Sequence, residues 1–290
     1  MKFREKLQSG KFVITCEVPP PKGTDTSYSI ENASFIRELA DAVNVTDNQC
    51  AQLHMSSIAF STLLKQNGYE PIMQMTCRDR NRIGIQSDVL GAYGLGIRNI
   101  LIMSGDYPTF GNQPGAKPVY DLDSVHALNA ISLLKKGTSL SGSNIAGPFD
   151  MCVGAVCNPV PEKKFQIMKL EKKVKAGAEF IQTQAVFDVD MFSEFMDLIR
   201  DRGIDIPILS GIVPLRSVEM ARYMNQNIPG ISVPPEIIKR MEYADDQIEE
   251  GIEITAEIIK CMKNISNGIH IMPIKSHRCT KNLLRRSNFL

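Results

Sequence analysis

The chain has 290 residues, 43% of them hydrophobic, enough for one large core or two small ones. Its formal net charge is +1 with no block of like charges, which argues against nucleic acid or an anionic membrane surface as the main partner. No apolar run reaches the roughly 18 residues that a membrane span needs. The cysteines at 16, 50, 77, 152, 157, 261 and 279 form no C-x-x-C pair and have no His-rich spacing beside them, so no metal site is predicted. Their odd number, with a polar N-terminus (MKFREKLQSG) that lacks the h-region of a leader, predicts free thiols and a cytoplasmic setting.

The first apolar stretch is KFVITCEVPPP, residues 11–21. Phe12 to Cys16 and Val18 favour a strand, and three prolines end it, because proline lacks an amide donor and fixes φ. Apolar residues at helical spacing then predict a helix over Ser27–Ala40, a strand over Asp41–Asp47 and a helix over Ser56–Asn67 stopped by Gly68. Pro71–Cys77 is a third strand, Arg82–Leu95 a third helix and Asn99–Asp106 a fourth strand. Residues 107–121 hold three prolines and two glycines and are too long for an ordinary connection, which predicts a functional loop. A helix over Ser124–Lys136 and a flexible stretch over Gly137–Pro148 follow. Strands are predicted over Met151–Asn158, Phe180–Phe187, Pro207–Pro214 and Gly268–Ile274. Between and after them come helices over Glu162–Ala176, Met191–Arg202, Val218–Asn227, Pro235–Tyr243, Asp246–Met262 and a short one at the end.

Strands alternating with helices place the chain in the α/β class with parallel βα units. An open doubly wound sheet and a closed barrel both fit alternation. The count of eight strands and the length favour a (β/α)8 TIM barrel, one domain over residues 1–290.

In such a barrel chemistry gathers at the C-terminal strand ends. Those ends carry Glu17, Thr46 and Asp47, Thr76 and Cys77, Gly105 and Asp106, Asn158, Gln184 and Lys275. Strand ends meet water, which accounts for Thr76, Asn158 and Lys275; Gln184, inside FIQTQAVF, is less easily explained so. Glu17 either faces solvent beside a lysine or serves chemistry with Asp106, since paired acids in unlike surroundings are equipment for proton transfer. The missing side chain of Gly105 would let a flat ligand approach the backbone. GAYGLG at 91–96 ends a helix instead of following a strand, so it reads as a helix stop, and no Walker sequence is present. His54, His126, His270 and His277 are scattered and define no triad.

These residues resemble the methylenetetrahydrofolate reductase family, in its bacterial single-domain form, from about Phe12 to Pro273. The likeness rests on CEVPPPKG, NVTD, RNILIMSGD followed by KPVYDLDS, KVKAGAEFIQTQAVFD, SGIVPL and GIHIMPI, in that order. TCRDRNR looks most like the reductases of acetate-forming anaerobes. The resemblance implies a barrel with a flavin, FAD or FMN, at its mouth, reducing 5,10-methylenetetrahydrofolate to 5-methyltetrahydrofolate. It implies Glu17 as general acid and Asp106 as an acid between flavin and pterin. It further implies flavin contacts from Thr46, Gln74, Gly105, Asp106, Tyr120, Lys172, Lys173 and Ala176, and substrate contacts from Gln184 and Val218. NADH or a partner redox protein would supply electrons, in the second case within a hetero-oligomer.

The sequence also departs from the better-known bacterial pattern. Ser104 stands for an arginine, Gln74 for a histidine, Val156 and Val160 for a tyrosine and a histidine, and Val218 for a phenylalanine. The first four touch the flavin side; the last removes an aromatic surface from the nicotinamide and folate position. Competing readings are a flavin-free pterin-binding barrel methyltransferase and a folate-binding subunit without redox chemistry.

Overall fold

Each predicted strand becomes a stave of a closed parallel barrel in the computed structural model, which describes residues 1–160, 164–228, 230–273 and 277–289. The staves are β1 (Val13–Glu17), β2 (Ala42–Val45), β3 (Pro71–Thr76), β4 (Asn99–Met103), β5 (Cys152–Cys157), β6 (Phe180–Ala185), β7 (Ile208–Ile212) and β8 (Gly268–Ile271). They lie in chain order, and β8 closes on β1 with Val13 opposite Gly268 and Cys16 opposite Ile271. The open-sheet alternative is thereby excluded. Ile274 and Lys275, the end of the predicted eighth strand, lie outside the described residues.

The helices are α1 (Phe3–Gln8), α2 (Ser27–Ser34), α3 (Ser57–Gln66), α4 (Arg82–Gly94), α5 (Ser124–Lys135), α6 (Lys164–Lys175), α7 (Val189–Asp201), α8 (Val218–Asn227), α9 (Pro235–Tyr243), α10 (Gln247–Ile265) and α11 (Thr280–Arg286). Several βα loops end on a side chain that caps the next helix: Ser56 accepts from the Ala59 amide, Asn81 from Gly84, Asp123 from His126, Asp188 from Met191 and Ser217 from Met220. α2 is shorter than its apolar pattern predicts. From Phe35 to Arg37 the amides bond three residues back instead of four, so the chain tightens into turns.

α1 was not among the predicted elements, because its apolar face is only Phe3 and Leu7, one turn apart in a polar stretch. It plugs the bottom of the barrel. Phe3 meets the Phe180 ring edge-on, with centroids 5.2 Å apart, and Leu7 joins the same cluster as Val13, Ala42, Ile72, Leu101, Cys152 and Leu209. Gly154 on β5 makes room for Phe180, whose ring would lie 2.3 Å from any Cβ there.

Because side chains alternate along a strand, every second residue above this floor again points inward. The next level is polar: Thr15, Asn44, Gln182 and His270 are all buried and hydrogen-bonded to one another. Two residues above Thr15 is Glu17, at the mouth.

Candidate active site

A cavity of about 500 Å³ opens at the C-terminal ends of the strands. Glu17, Gln74, Gly105, Asp106, Lys173 and Gln184, named from the sequence on various grounds, all line it. Both carboxylates of the predicted acid pair thus face one space, while their surroundings differ.

The Glu17 side chain is 12% exposed. Burial pushes its carboxyl up to about 7, against which a hydrogen bond from Gln49 acts weakly. Gln49 Nε2 donates to Oε1 at 2.9 Å, and His270 Nε2 lies 4.0 Å from Oε2. No lysine pairs with it among the described ion pairs. The solvent-facing, lysine-paired alternative does not describe this residue. Asp106 is exposed, and its carbonyl accepts from Arg78 at 3.3 Å.

Two arginines of TCRDRNR brace the loops at this end of the barrel, and Arg78 also lines the cavity. Arg78, 3% exposed, donates to the Asp106 and Asn48 carbonyls and to Asp79, which ties together the loops after β2, β3 and β4. Arg80 bridges Asp47 and Asp88. Asp47 also accepts from the Thr76 amide at 2.8 Å and hydroxyl at 3.0 Å, so its work is to brace strand ends. The loop after β2 is bent tightly: Asn48, Cys50 and Ala51 all take positive φ. Gly111 of the long 107–121 loop presses on it, with the Ala51 carbonyl so close that no Cβ fits. That loop is held down by Leu53 donating to Asn112 and Val119 donating to the Arg78 carbonyl.

Gly105 takes φ +86°, and a Cβ there would crowd Thr76 and Arg78 at 3.0–3.1 Å. Tyr120 lies outside the cavity lining and donates to the Gly105 carbonyl at 3.0 Å, fixing this turn from behind. Thr46, named from the resemblance as a flavin contact, is 1% exposed and does not line the cavity, and its hydroxyl has no hydrogen-bond partner among the described residues. Gln184 accepts from the Ala185 amide through its own side chain at 3.1 Å.

On α6, Gln166, Lys169 and Lys173 share one face and line the cavity. Lys173 is 5% exposed and donates to the Val156 carbonyl at 2.6 Å; burial draws its ammonium down to about 8. Lys172 is exposed on another face and Ala176 packs against the core, so neither lines the cavity. Val218, 5% exposed, opens α8 in the core with its amide bonded to Gln247, and does not line it either. Sequence reasoning missed Lys169, Arg78, Gln49 and His270. A signal existed only for Lys169, four residues before Lys173.

No disulfide joins any of the seven cysteines, and no described helix is long and apolar enough to cross a membrane.

Residues 2–288 match the family profile described as methylenetetrahydrofolate reductase. Methylenetetrahydrofolate reductase 2 of Saccharomyces cerevisiae is 27% identical over 310 residues, which take in 100% of this chain and 50% of the yeast protein. The 5,10-methylenetetrahydrofolate reductase of Pectobacterium carotovorum is 27% identical over 272 residues, covering 87% of this chain and 82% of that protein. The chain therefore spans half the length of the yeast relative and about four fifths of the bacterial one. Among solved structures, a Clostridium thermocellum protein described as binding two copies of 5-methyl-5,6,7,8-tetrahydrofolic acid superposes with a TM-score of 0.68. It covers 98% of this chain and 97% of its own, at 14% identity, a likeness of fold.

Proposed function

The chain belongs to the methylenetetrahydrofolate reductase family, and from that premise we propose that it reduces 5,10-methylenetetrahydrofolate to 5-methyltetrahydrofolate with a flavin held at the barrel mouth. The observation that carries the reading is Glu17, a carboxyl desolvated at the end of β1 with no Lys or Arg ion-paired to it among the described residues, held up to about 7 and facing a 500 Å³ cavity. Such a group is still partly protonated near neutral pH and can give its proton away.

The residues present fit a flavin. The Gly105 turn offers backbone without a side chain, and Lys169 and Lys173 turn two cations toward the cavity, which would hold the flavin's phosphate; the orphaned hydroxyl of Thr46 lies behind this lining. A reduced flavin bound there supplies a hydride. Glu17 supplies what the hydride needs: its proton goes to N10 of the five-membered imidazolidine ring, the bond from N10 to the bridging carbon breaks, and the carbon becomes an electrophilic N5 iminium. Gln184 and Asp106 line the same cavity and offer an amide and a carboxylate to the donors and acceptors of a pterin. The electron donor is NADH or a partner redox protein.

Glu17→Gln tests this. The variant should keep its flavin and its rate of flavin reduction, while folate reduction falls about 10²-fold or more, the scale of a lost general acid. In the unaltered protein the folate step should weaken as pH rises above about 7, where the proton is lost. Normal turnover by Glu17→Gln would remove the acid. A colourless preparation that still bound folate would favour the folate-binding subunit.

A further inference from the structure

The polar level beneath Glu17 is a connected set of hydrogen bonds that limits where its protons sit. Asn44 and Gln182 exchange both amide bonds, Asn44 Nδ2 donating to Gln182 Oε1 at 2.7 Å and Gln182 Nε2 to Asn44 Oδ1 at 3.1 Å. That pairing turns the second Gln182 proton to Thr15 Oγ1, at 3.2 Å. The Thr15 hydroxyl has one proton to give and two positions at which to accept. It faces Gln182 Nε2, which only donates, and the Ile269 carbonyl at 3.3 Å, which only accepts. Its one proton can serve either Ile269 or His270 Nδ1, and the arrangement inferred here gives it to Ile269. In that arrangement the remaining contact, His270 Nδ1 at 3.0 Å, brings its own proton. His270 is 3% exposed and burial holds its imidazole neutral, down to about 3. A neutral ring protonated on Nδ1 leaves Nε2 bare, and Nε2 is the atom that faces Glu17 Oε2 at 4.0 Å. Oε1 is already an acceptor, taking the Gln49 amide proton.

We infer that His270 is a positioning residue: an imidazole fixed by Thr15 as the Nδ1–H tautomer, whose bare Nε2 keeps the acid proton of Glu17 on Oε2. This rests on the reading of Glu17 as an acid given above. The gap of 4.0 Å closes when the carboxyl turns toward the ring, as catalytic hydrogen bonds tighten on forming the complex. Among the described residues Asp106, Arg78, Lys169 and Lys173 line the same cavity; the Asp106 carboxylate opposes a second negative charge on Glu17, and none of the three cations ion-pairs with it. His277, after β8, has its ring by the Glu17 carbonyl and is drawn down to about 4 by burial. Cys50, on the loop after β2, is pushed up by burial and by Asp106 and Glu17. Any other neighbour that donated to Oε2, or a His270 of the opposite tautomer, would favour the carboxylate and drain the acid.

The test is nitrogen-15 NMR of the protein with its histidine rings labelled, which separates protonated from bare ring nitrogens. The His270 signals are those lost in His270→Gln. A protonated Nδ1 and a bare Nε2 are expected; the reverse tautomer overturns the inference. Thr15→Val, nearly the same size, takes away the acceptor of the Nδ1 proton and should raise the Nε2–H fraction. The protonated-carboxyl infrared band of Glu17, identified by its absence in Glu17→Gln, should then titrate about one unit lower, a tenfold loss of proton affinity, in both Thr15→Val and His270→Gln. An unshifted titration in both also overturns it. Neither measurement involves folate or flavin, so a normal turnover by Glu17→Gln would sink the functional reading and leave the tautomer standing.

Discussion

Replacing Glu17 by glutamine is expected to make the protein more stable at high pH and to change nothing at low pH. The carboxyl is held up to about 7 in the folded chain against an ordinary 4.5 in the unfolded one. The folded state therefore binds this proton more tightly. Its contribution is whole below pH 4.5 and is lost as pH rises through the interval up to 7, then stays lost. At about 1.4 kcal/mol per unit, the interval amounts to about 3 kcal/mol of destabilisation above neutrality. Glutamine has no charge to bury and keeps an oxygen for the Gln49 amide. Urea unfolding of both proteins at about pH 4.5 and about pH 8.5 reads the difference directly from the midpoints. It should be near zero at the lower pH and about 3 kcal/mol in favour of the variant at the higher. A difference that did not change with pH would mean that Glu17 titrates alike in both states, and the argument from desolvation would fail. A stabilising substitution that abolishes folate reduction would place this acid among residues kept at a cost to the fold.

Three further outcomes are expected. Asp106→Asn should raise the midpoint potential of bound flavin, because a carboxylate disfavours added negative charge, and weaken folate binding about tenfold; titrations that left both unchanged would remove Asp106 from the site. Lys173→Met leaves the Val156 carbonyl without its donor, which should cost about 1–3 kcal/mol in unfolding experiments and loosen flavin in fluorescence titrations, and full retention of flavin would exclude the lysine from its binding. Val218 lies in the core and presents no ring to the cavity, so NADH should reduce the flavin more slowly than a reduced viologen in stopped flow, an expectation refuted by fast, saturable reduction at micromolar NADH.

The barrel was legible because each stave is a short apolar run closed by proline, glycine or a polar end, a local signal repeated eight times. Glu17 was legible for a related reason: it is the one acid in its run and the one charge between Phe12 and the three prolines that follow. His270 was not. A single histidine in GIHIMPI has no spacing to read, and its partner Thr15 lies 255 residues away in the chain. The same holds for Asn44 and Gln182, 138 residues apart. Lys169 was overlooked because the resemblance drew attention to Lys172 and Ala176, whereas helical phase turns Lys169 and Lys173 to the cavity. α1 escaped because two apolar residues make no period until the floor they seal is known.

The seam between β1 and β8 sets an order of events on the ribosome. Val13 waits for Gly268, and Thr15 for Ile269 and His270, until β8 has been translated. Until then β1 and β7 each offer a bare edge of amides and carbonyls, the kind of surface on which nascent chains stick to one another. The apolar plug under Phe180 can assemble early, from α1 and the staves that precede β8. The proton network around Glu17 cannot, since its imidazole arrives on the last stave. A truncated product ending before β8 would thus carry most of the scaffold and no acid site, a hazard for chaperones and not a weak enzyme.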